Sequence, residues 1–131
     1  MDESVKQEWI EALRSGDYEQ SRHALRRTNG TDRFCCLGVL CDLYQDTTGK
    51  GEWQESSVEE IDCYRFTTPN GRSKSVLPED VREWAGLHGS RGVILNPDDL
   101  PNDKSTRHSL SSLNDANYSF GEIADVIEQN L

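Results

Sequence analysis

FCCLGVLCDLY, residues 34–44, is the most apolar stretch of the chain, and it decides the fold. Only Gly38 and Asp42 interrupt it. Its apolar side chains include a set with the helical spacing i, i+3, i+4, i+7: Leu37, Leu40, Cys41 and Tyr44. A helix that is apolar on nearly every side belongs in the centre of a fold, so the sequence predicts a core helix here. Asp32 is placed to cap its N-terminus, and Gly38 leaves room for a neighbouring element to come close.

Three further segments have the pattern of helices that would flank this core helix. Residues 2–14 place Trp9 and three aliphatic side chains on one helical face. Pro78 opens a second helix, because its fixed φ angle suits the first helical position. Ser119 and Glu122 form an S-x-x-E capping box that begins the third helix. One more helical turn is predicted at residues 111–114.

Alternating side chains and turn residues predict short strands between the helices. Asn29-Gly30 suits a tight hairpin turn after a strand, and Pro69-Asn70-Gly71 predicts a second turn. The predicted strands are residues 22–28, 52–54, 61–66 and 72–76. Residues 1–131 are therefore predicted to form one small α+β domain, with the central apolar helix, flanking helices and a short antiparallel sheet.

Composition and charge exclude several classes of protein. The chain has 24 acidic and 14 basic residues and a formal net charge of −10. A charge of this sign disfavours nonspecific binding to the phosphate backbone of nucleic acids. No apolar run is long enough to cross a bilayer, and no signal-peptide pattern opens the sequence. Neither a Walker motif nor a dinucleotide glycine motif is present, so no cofactor is predicted.

The four cysteines, Cys35, Cys36, Cys41 and Cys63, are predicted to be reduced thiols of a cytoplasmic protein. Their spacing lacks the CxxC pairs of a zinc ribbon, so no metal site is predicted from them. The acidic loop at residues 96–103 has closely spaced oxygen ligands but lacks the closing glutamate of an EF-hand loop. We therefore interpret it as a solvated loop.

A cluster of arginines precedes the predicted core helix. Residues 21–33 contain four arginines against one aspartate, a local charge of +3: Arg22, Arg26, Arg27 and Arg33 against Asp32. Guanidinium groups beside the free amides of a helix N-terminus suit an anion such as phosphate or carboxylate. We therefore predict a ligand site at Arg26 and Arg33, with His23 and Arg22 in the same segment. The alternative is that these arginines form ordinary surface ion pairs.

Cys35 is the candidate for a reactive thiol. The helical spacing places it on a solvent-facing stripe with Gly38 and Asp42, in the first turn of the core helix. A helix N-terminus and nearby arginines favour the thiolate, and His23 or His108 could then act as the base. The alternative is that Cys35 is a buried small hydrophobe, as cysteines commonly are.

The chain resembles a family of small uncharacterised proteins common in bacteriophages and prophages. The resemblance rests on WIEALRSG at residues 9–16 and the FCCLGVLCDLY block at 34–44. It continues with LP at 77–78, WAGL at 84–87, LND at 113–115, SF at 119–120 and IAD at 123–125. It implies an accessory protein made in the cytoplasm of a bacterial host, and it implies no biochemical activity.

These observations lead us to expect a phage-encoded, non-enzymatic binding protein that blocks or sequesters a host component. Its acidic surface would steer association with a basic partner. The first alternative is a protein that binds an anionic small ligand or nucleotide at the arginine cluster. The second alternative is a small cysteine-dependent enzyme. The sequence leaves the partner and the oligomeric state open.

Overall fold

The structure, a computed structural model, describes residues 1–28, 30–55, 63–92 and 109–131. These residues form five α-helices: α1 (Glu3–Arg14), α2 (Cys36–Thr48), α3 (Glu79–Ala85), α4 (Leu110–Asp115) and α5 (Phe120–Asn130). They also form six short strands: β1 (Glu19–Gln20), β2 (Arg26–Thr28), β3 (Asp32–Phe34), β4 (Glu52–Glu55), β5 (Tyr64–Thr68) and β6 (Gly71–Ser73). The predicted α+β fold with a central apolar helix is confirmed. No helix in the described part of the chain is long and apolar enough to span a membrane.

Helix α2 is the interior helix that the sequence predicts, but it begins two residues later. All its residues from Cys36 to Cys41 are buried. The preceding residues up to Phe34 are extended because they pair with β2, so the predicted cap at Asp32 is wrong. Cys35 caps the helix instead, its Sγ atom accepting a hydrogen bond from the Gly38 amide at 3.4 Å. The helix ends at Gly49, whose φ of 70° is readily adopted only by glycine.

Gly38 lets a second segment pass directly against α2, as predicted. A Cβ atom at this position would lie 1.8 Å from the carbonyl oxygen of Leu25. The same oxygen accepts a hydrogen bond from the Cys35 amide at 3.2 Å. The segment before β2 is therefore held against the first turn of α2.

The strands form two three-stranded sheets, where the sequence predicts one. The first has the order β1-β3-β2, and its β1–β3 pair is parallel. The second has the order β4-β5-β6 and is antiparallel, with the predicted turn at Pro69-Asn70 joining β5 to β6. Strand β2 begins four residues later than predicted. An isolated bridge between Arg27 and Cys63 links the two sheets.

Helices α1, α3 and α4 pack against the core helix, whereas α5 packs mainly against α1 and α4. Helix α1 packs against α5 and α2, and its fully buried Trp9 donates from Nε1 to the Cys36 carbonyl oxygen at 2.9 Å. Pro78 caps α3, and the predicted capping box of Ser119 and Glu122 begins α5. Helices from the beginning and the end of the sequence therefore share one hydrophobic core with α2.

Among the residues that the structure describes, Asn114 of α4 is the polar residue with a fully buried side chain. Its Oδ1 atom accepts hydrogen bonds from the Cys36 amide at 3.2 Å and from Gln20 at 2.9 Å. Its Nδ2 atom donates to the Ser21 carbonyl oxygen at 2.7 Å. Because a buried polar group is costly unless it is hydrogen-bonded, these bonds fix α4 against β1 and the start of α2.

Candidate functional site

A broad groove of about 600 Å³ lies where the segment after α1 meets β3 and α2. Four acidic residues and one arginine line it: Asp17, Glu19, Asp32, Asp42 and Arg26. Tyr18 and Phe34 add aromatic surface. We call these seven residues the acidic groove. Its excess of carboxylates favours a cationic ligand.

The positive charge of Arg26 is already in contact with partners within the molecule, three aromatic rings and the Asp32 carboxylate. Its guanidinium carbon lies 4.2 Å from the centroid of the Tyr64 ring and 5.4 Å from those of Phe34 and Trp53. One of its terminal nitrogens is 2.7 Å from the Asp32 carboxylate. Cation–π contacts of this kind contribute about 0.5–2 kcal/mol, depending on burial. A ligand in the groove would therefore meet the remaining carboxylates rather than a free arginine.

Asp42 is a fixed part of this groove and is half-buried, although the sequence predicts it on the solvent side. Its carboxylate accepts hydrogen bonds from the Tyr18 hydroxyl at 2.6 Å and from Trp53 Nε1 at 3.3 Å. The pKa of Tyr18 is raised by burial, then by its hydrogen bond to Asp42 and by the charges of Asp42, Asp46 and Asp17. The contributions of the three carboxylates indicate a negative electrostatic potential around the Tyr18 hydroxyl.

The predicted ligand site at Arg26 and Arg33 is not assembled in the way that the sequence suggests. In the β2–β3 pair, Arg26 is opposite Phe34, and Arg27 is opposite Arg33. Successive side chains of a strand point to opposite faces of the sheet. Arg26 and Arg33 therefore lie on opposite faces and cannot close on one ligand.

The first turn of α2 also differs from the predicted anion site, because two of its amides already have internal partners. The Cys36 amide donates to Asn114, and the Gly38 amide donates to the Cys35 sulfur. An anion at this turn would have to displace a buried asparagine. A separate role of Arg22 or Arg33 in binding stays a prediction.

Cys35 is buried rather than exposed, because it caps α2 from inside the fold. Burial raises the pKa of its thiol to about 11, although the amides of Gly38 and Leu37 act in the opposite direction. The thiol is therefore neutral near pH 7. The prediction of an exposed, activated thiol at this position is wrong.

Cys35 and His23 nevertheless line one small pocket of about 90 Å³. The other polar residues of the pocket come from distant parts of the chain: Ser75, Arg91, Ser111 and Asp115. We call these six residues the His23 pocket. Asp115 contacts His23 twice, accepting from its backbone amide at 2.9 Å and lying 3.3 Å from its Nδ1 atom. The sequence alone suggests a pairing of His23 with Cys35, but it carries no sign of Asp115.

The residues that sequence reasoning misses are mostly ones whose partners are far along the chain. Asn114 directly follows Leu113 in α4, and a polar residue beside a leucine on the buried side of a helix is the signal that could have found it. Tyr18 and Trp53 carry no comparable signal. His108 and the acidic loop at 96–103 lie outside the described residues. Among the described residues, no group of three or more His, Cys, Asp or Glu side chains is arranged to hold a metal ion.

Comparison with known proteins adds one finding to this geometry. A family model for a domain of unknown function, DUF8296, matches residues 1–131. No curated protein and no solved structure matches the chain. Since the match covers all the residues of the sequence, the chain belongs to the DUF8296 family.

Proposed function

We propose that this protein is a non-enzymatic binding protein whose acidic groove takes a cationic segment of a partner protein. The observation that carries this proposal is the charge of the groove. Four acidic residues line it, and Arg26, the arginine among its described lining residues, is paired with Asp32 and covered by three aromatic rings. Lysine or arginine side chains of a partner would supply the missing positive charge.

The shape and chemistry of the groove support a peptide segment rather than a small ion. Tyr18 and Phe34 form aromatic walls beside the carboxylates, and aromatic surface can stack on the side chains of arginine and lysine. Asp42 is oriented by Tyr18 and Trp53, so one carboxylate is already held in place before a ligand arrives. A preformed site of this kind loses less entropy on binding than a flexible one.

The likeness to bacteriophage and prophage proteins supplies a biological setting for this proposal. In that setting the protein is made in the cytoplasm of a bacterial host, and its partner is a host protein that it blocks or sequesters. The net charge of −10 supports fast association with a basic surface. A cysteine-dependent enzyme has less support, because the pKa of the Cys35 thiol is raised to about 11.

A fluorescence titration tests the groove directly. The probe is a short labelled peptide of alternating arginine and glycine, titrated with the full-length protein at about 0.15 M salt, where the Debye length is about 8 Å. We expect saturable binding that weakens as salt is added. The double substitution Asp17→Asn with Glu19→Gln should weaken binding roughly five- to thirtyfold, because each exposed charge pair contributes up to about 1 kcal/mol.

The matched control is Glu8→Gln with Glu11→Gln on α1, which changes the net charge by the same amount outside the groove. It should leave the affinity within about twofold of wild type, since distant exposed charges are screened. Equal weakening by both double variants would show that net charge alone attracts the peptide and would overturn the proposed groove. The absence of saturable binding would overturn it as well.

A further inference from the structure

The walls of the His23 pocket are fixed to one another by backbone hydrogen bonds. The Leu25 amide donates to the Lys74 carbonyl oxygen at 2.8 Å, which holds the loop of His23 beside the segment of Ser75. The Ser111 amide donates to the Arg91 carbonyl oxygen at 3.2 Å, which holds Arg91 at the start of α4. The pocket is therefore assembled by the fold itself from four separate segments and the cap of α2.

His23 adopts a backbone conformation that side-chain-bearing residues rarely take. Its φ angle is 67°, in the left-handed region that favours glycine. The Asp115 carboxylate compensates for this strain by accepting from the His23 amide at 2.9 Å and lying 3.3 Å from Nδ1. Strained residues held in this way are concentrated at functional sites. The result is an imidazole fixed at the edge of the pocket, with its side chain about two-thirds exposed.

The side chains around the pocket favour a negatively charged ligand. Arg91 is exposed and forms no ion pair with any residue that the structure describes. Ser75 and Ser111 add hydroxyl groups, and His23 carries a positive charge when it is protonated. Asp115, the only carboxylate among the described lining residues, has both oxygens directed at His23.

The Cys35 thiol does not oppose an anion, because burial keeps its pKa well above neutral pH. The pocket volume of about 90 Å³ is well above the roughly 10–15 Å³ that one water molecule needs. This space suits a phosphate group. Arg22 adjoins His23, and Lys74 adjoins Ser75, so two more basic residues lie next to the pocket in sequence.

We propose that the His23 pocket binds a phosphate group through Arg91, His23 and the hydroxyls of Ser75 and Ser111. This site differs from the anion site predicted at Arg26 and Arg33, and it is independent of the acidic groove. The phosphate is either the free ion or the terminal group of a phosphate monoester. Both present the same oxygens to the guanidinium and hydroxyl donors.

Isothermal titration of the full-length protein with inorganic phosphate, at constant ionic strength, tests this site. We expect saturable binding to wild type and at least about tenfold weaker binding to Arg91→Gln, which loses the charged donor. Because Arg91 is exposed, this variant should fold normally. The control Arg33→Gln has the same change in charge but alters a residue that does not line the pocket, and it should bind like wild type.

Glycerol phosphate serves as a second probe that distinguishes the two sources of the group. Tighter binding than inorganic phosphate supports a larger ligand, and weaker binding supports the free ion. No saturable binding of either probe, or equal losses in Arg91→Gln and Arg33→Gln, would overturn the proposal. The Arg91→Gln variant should still bind the arginine-glycine peptide, so the two proposed sites succeed or fail separately.

Discussion

Gly38 on α2 and Leu25 before β2 are in direct backbone contact, with no space for a side chain between them. A methyl group on Gly38 would lie 1.8 Å from the Leu25 carbonyl oxygen and 2.7 Å from its carbonyl carbon. Both atoms belong to the backbone and cannot move away without breaking the bond from the Cys35 amide. This contact determines how closely the first sheet approaches the core helix.

Gly38→Ala should therefore destabilise the protein severely. Overpacking a core commonly costs about 1–3 kcal/mol, and here the clash is with backbone, so we expect a loss of at least about 3 kcal/mol. Urea unfolding followed by tryptophan fluorescence measures it. The control is Gly121→Ala on α5, where the nearest atom to a new Cβ is 3.8 Å away. That variant should be unchanged or up to about 1 kcal/mol more stable.

Asn114→Leu should also destabilise the fold, although leucine is similar in size to asparagine. The change removes the partner of the Cys36 amide and of the Ser21 carbonyl oxygen. Each buried polar group left unpaired costs about 1–3 kcal/mol, so we expect a loss of about 3 kcal/mol. Asn130→Ala, which removes an amide at the end of α5, should cost less than about 1 kcal/mol. Equal losses in the two variants would contradict the assigned role of Asn114.

We predict that the buried Cys35 thiol makes the protein less stable in alkaline solution. Its pKa is raised from 9.0 to about 11 in the folded protein by burial. Below pH 9 the thiol is protonated in both states, and its contribution to stability is fully present. As the pH rises from about 9 to 11, the unfolded chain releases the proton first, and the free energy of unfolding falls.

Cys35→Ser isolates this effect, because the serine hydroxyl does not ionise in that range and can still cap α2. Urea unfolding measures the free energy of unfolding of both proteins at each pH. Between about pH 8 and pH 11, wild type should lose up to about 2–3 kcal/mol of this free energy relative to the variant. Parallel pH profiles for the two proteins would contradict a raised pKa at Cys35.

The rate of alkylation by iodoacetamide gives a second measure of how strongly the Cys35 thiol resists ionisation. Cys35, Cys36, Cys41 and Cys63 are all buried cysteines. We expect native Cys35 to react at least about a hundredfold more slowly near pH 8 than an unfolded cysteine, because its thiolate fraction is that much smaller. Peptide mapping after a timed reaction identifies the modified residue. Rapid modification of Cys35 near pH 7 would instead support the cysteine-dependent enzyme.

Arg26→Met connects stability to the proposed binding function. The change removes the cation from the rings of Phe34, Trp53 and Tyr64 and leaves Asp32 unpaired, so we expect a loss of about 1 kcal/mol in stability. It also makes the acidic groove more negative, so the arginine-glycine peptide should bind a few-fold more tightly. Arg33→Met, on the opposite face of the β2–β3 pair, should change neither quantity by as much. Weaker peptide binding by Arg26→Met would count against the groove.

The parts of the structure that the sequence predicts are those set by neighbouring residues. Helix α2, the capping box at Ser119, the turn at Pro69-Asn70 and the close approach at Gly38 all follow from local spacing or from the properties of one residue. Helix α2 begins later than the sequence predicts, because the pairing of β3 with β2 keeps the chain extended through Phe34. This pairing overrides the helical pattern.

The candidate sites were harder to predict because their residues meet through the tertiary fold. The separation of Arg26 from Arg33 depends on strand register, which places them on opposite faces. The contact between His23 and Asp115 joins residues 92 positions apart. Spacing along a single sequence carries no signal for such a pair, so the His23 pocket can be recognised only in the folded structure.

The hydrogen bonds of the Asn114 side chain can form only after most of the chain has been synthesised. This side chain is supplied 78 residues after Cys36 and 93 residues after Ser21, whose backbone groups it completes. A nascent chain that already includes all of α2 on the ribosome thus lacks the partner for the first amide of its central helix. Contacts of such long separation form late, because the intervening chain must first be made and then closed into a loop. A ribosome that stalls before α4 would release a chain whose most apolar helix has an unfinished N-terminus, a ready substrate for chaperones and proteases.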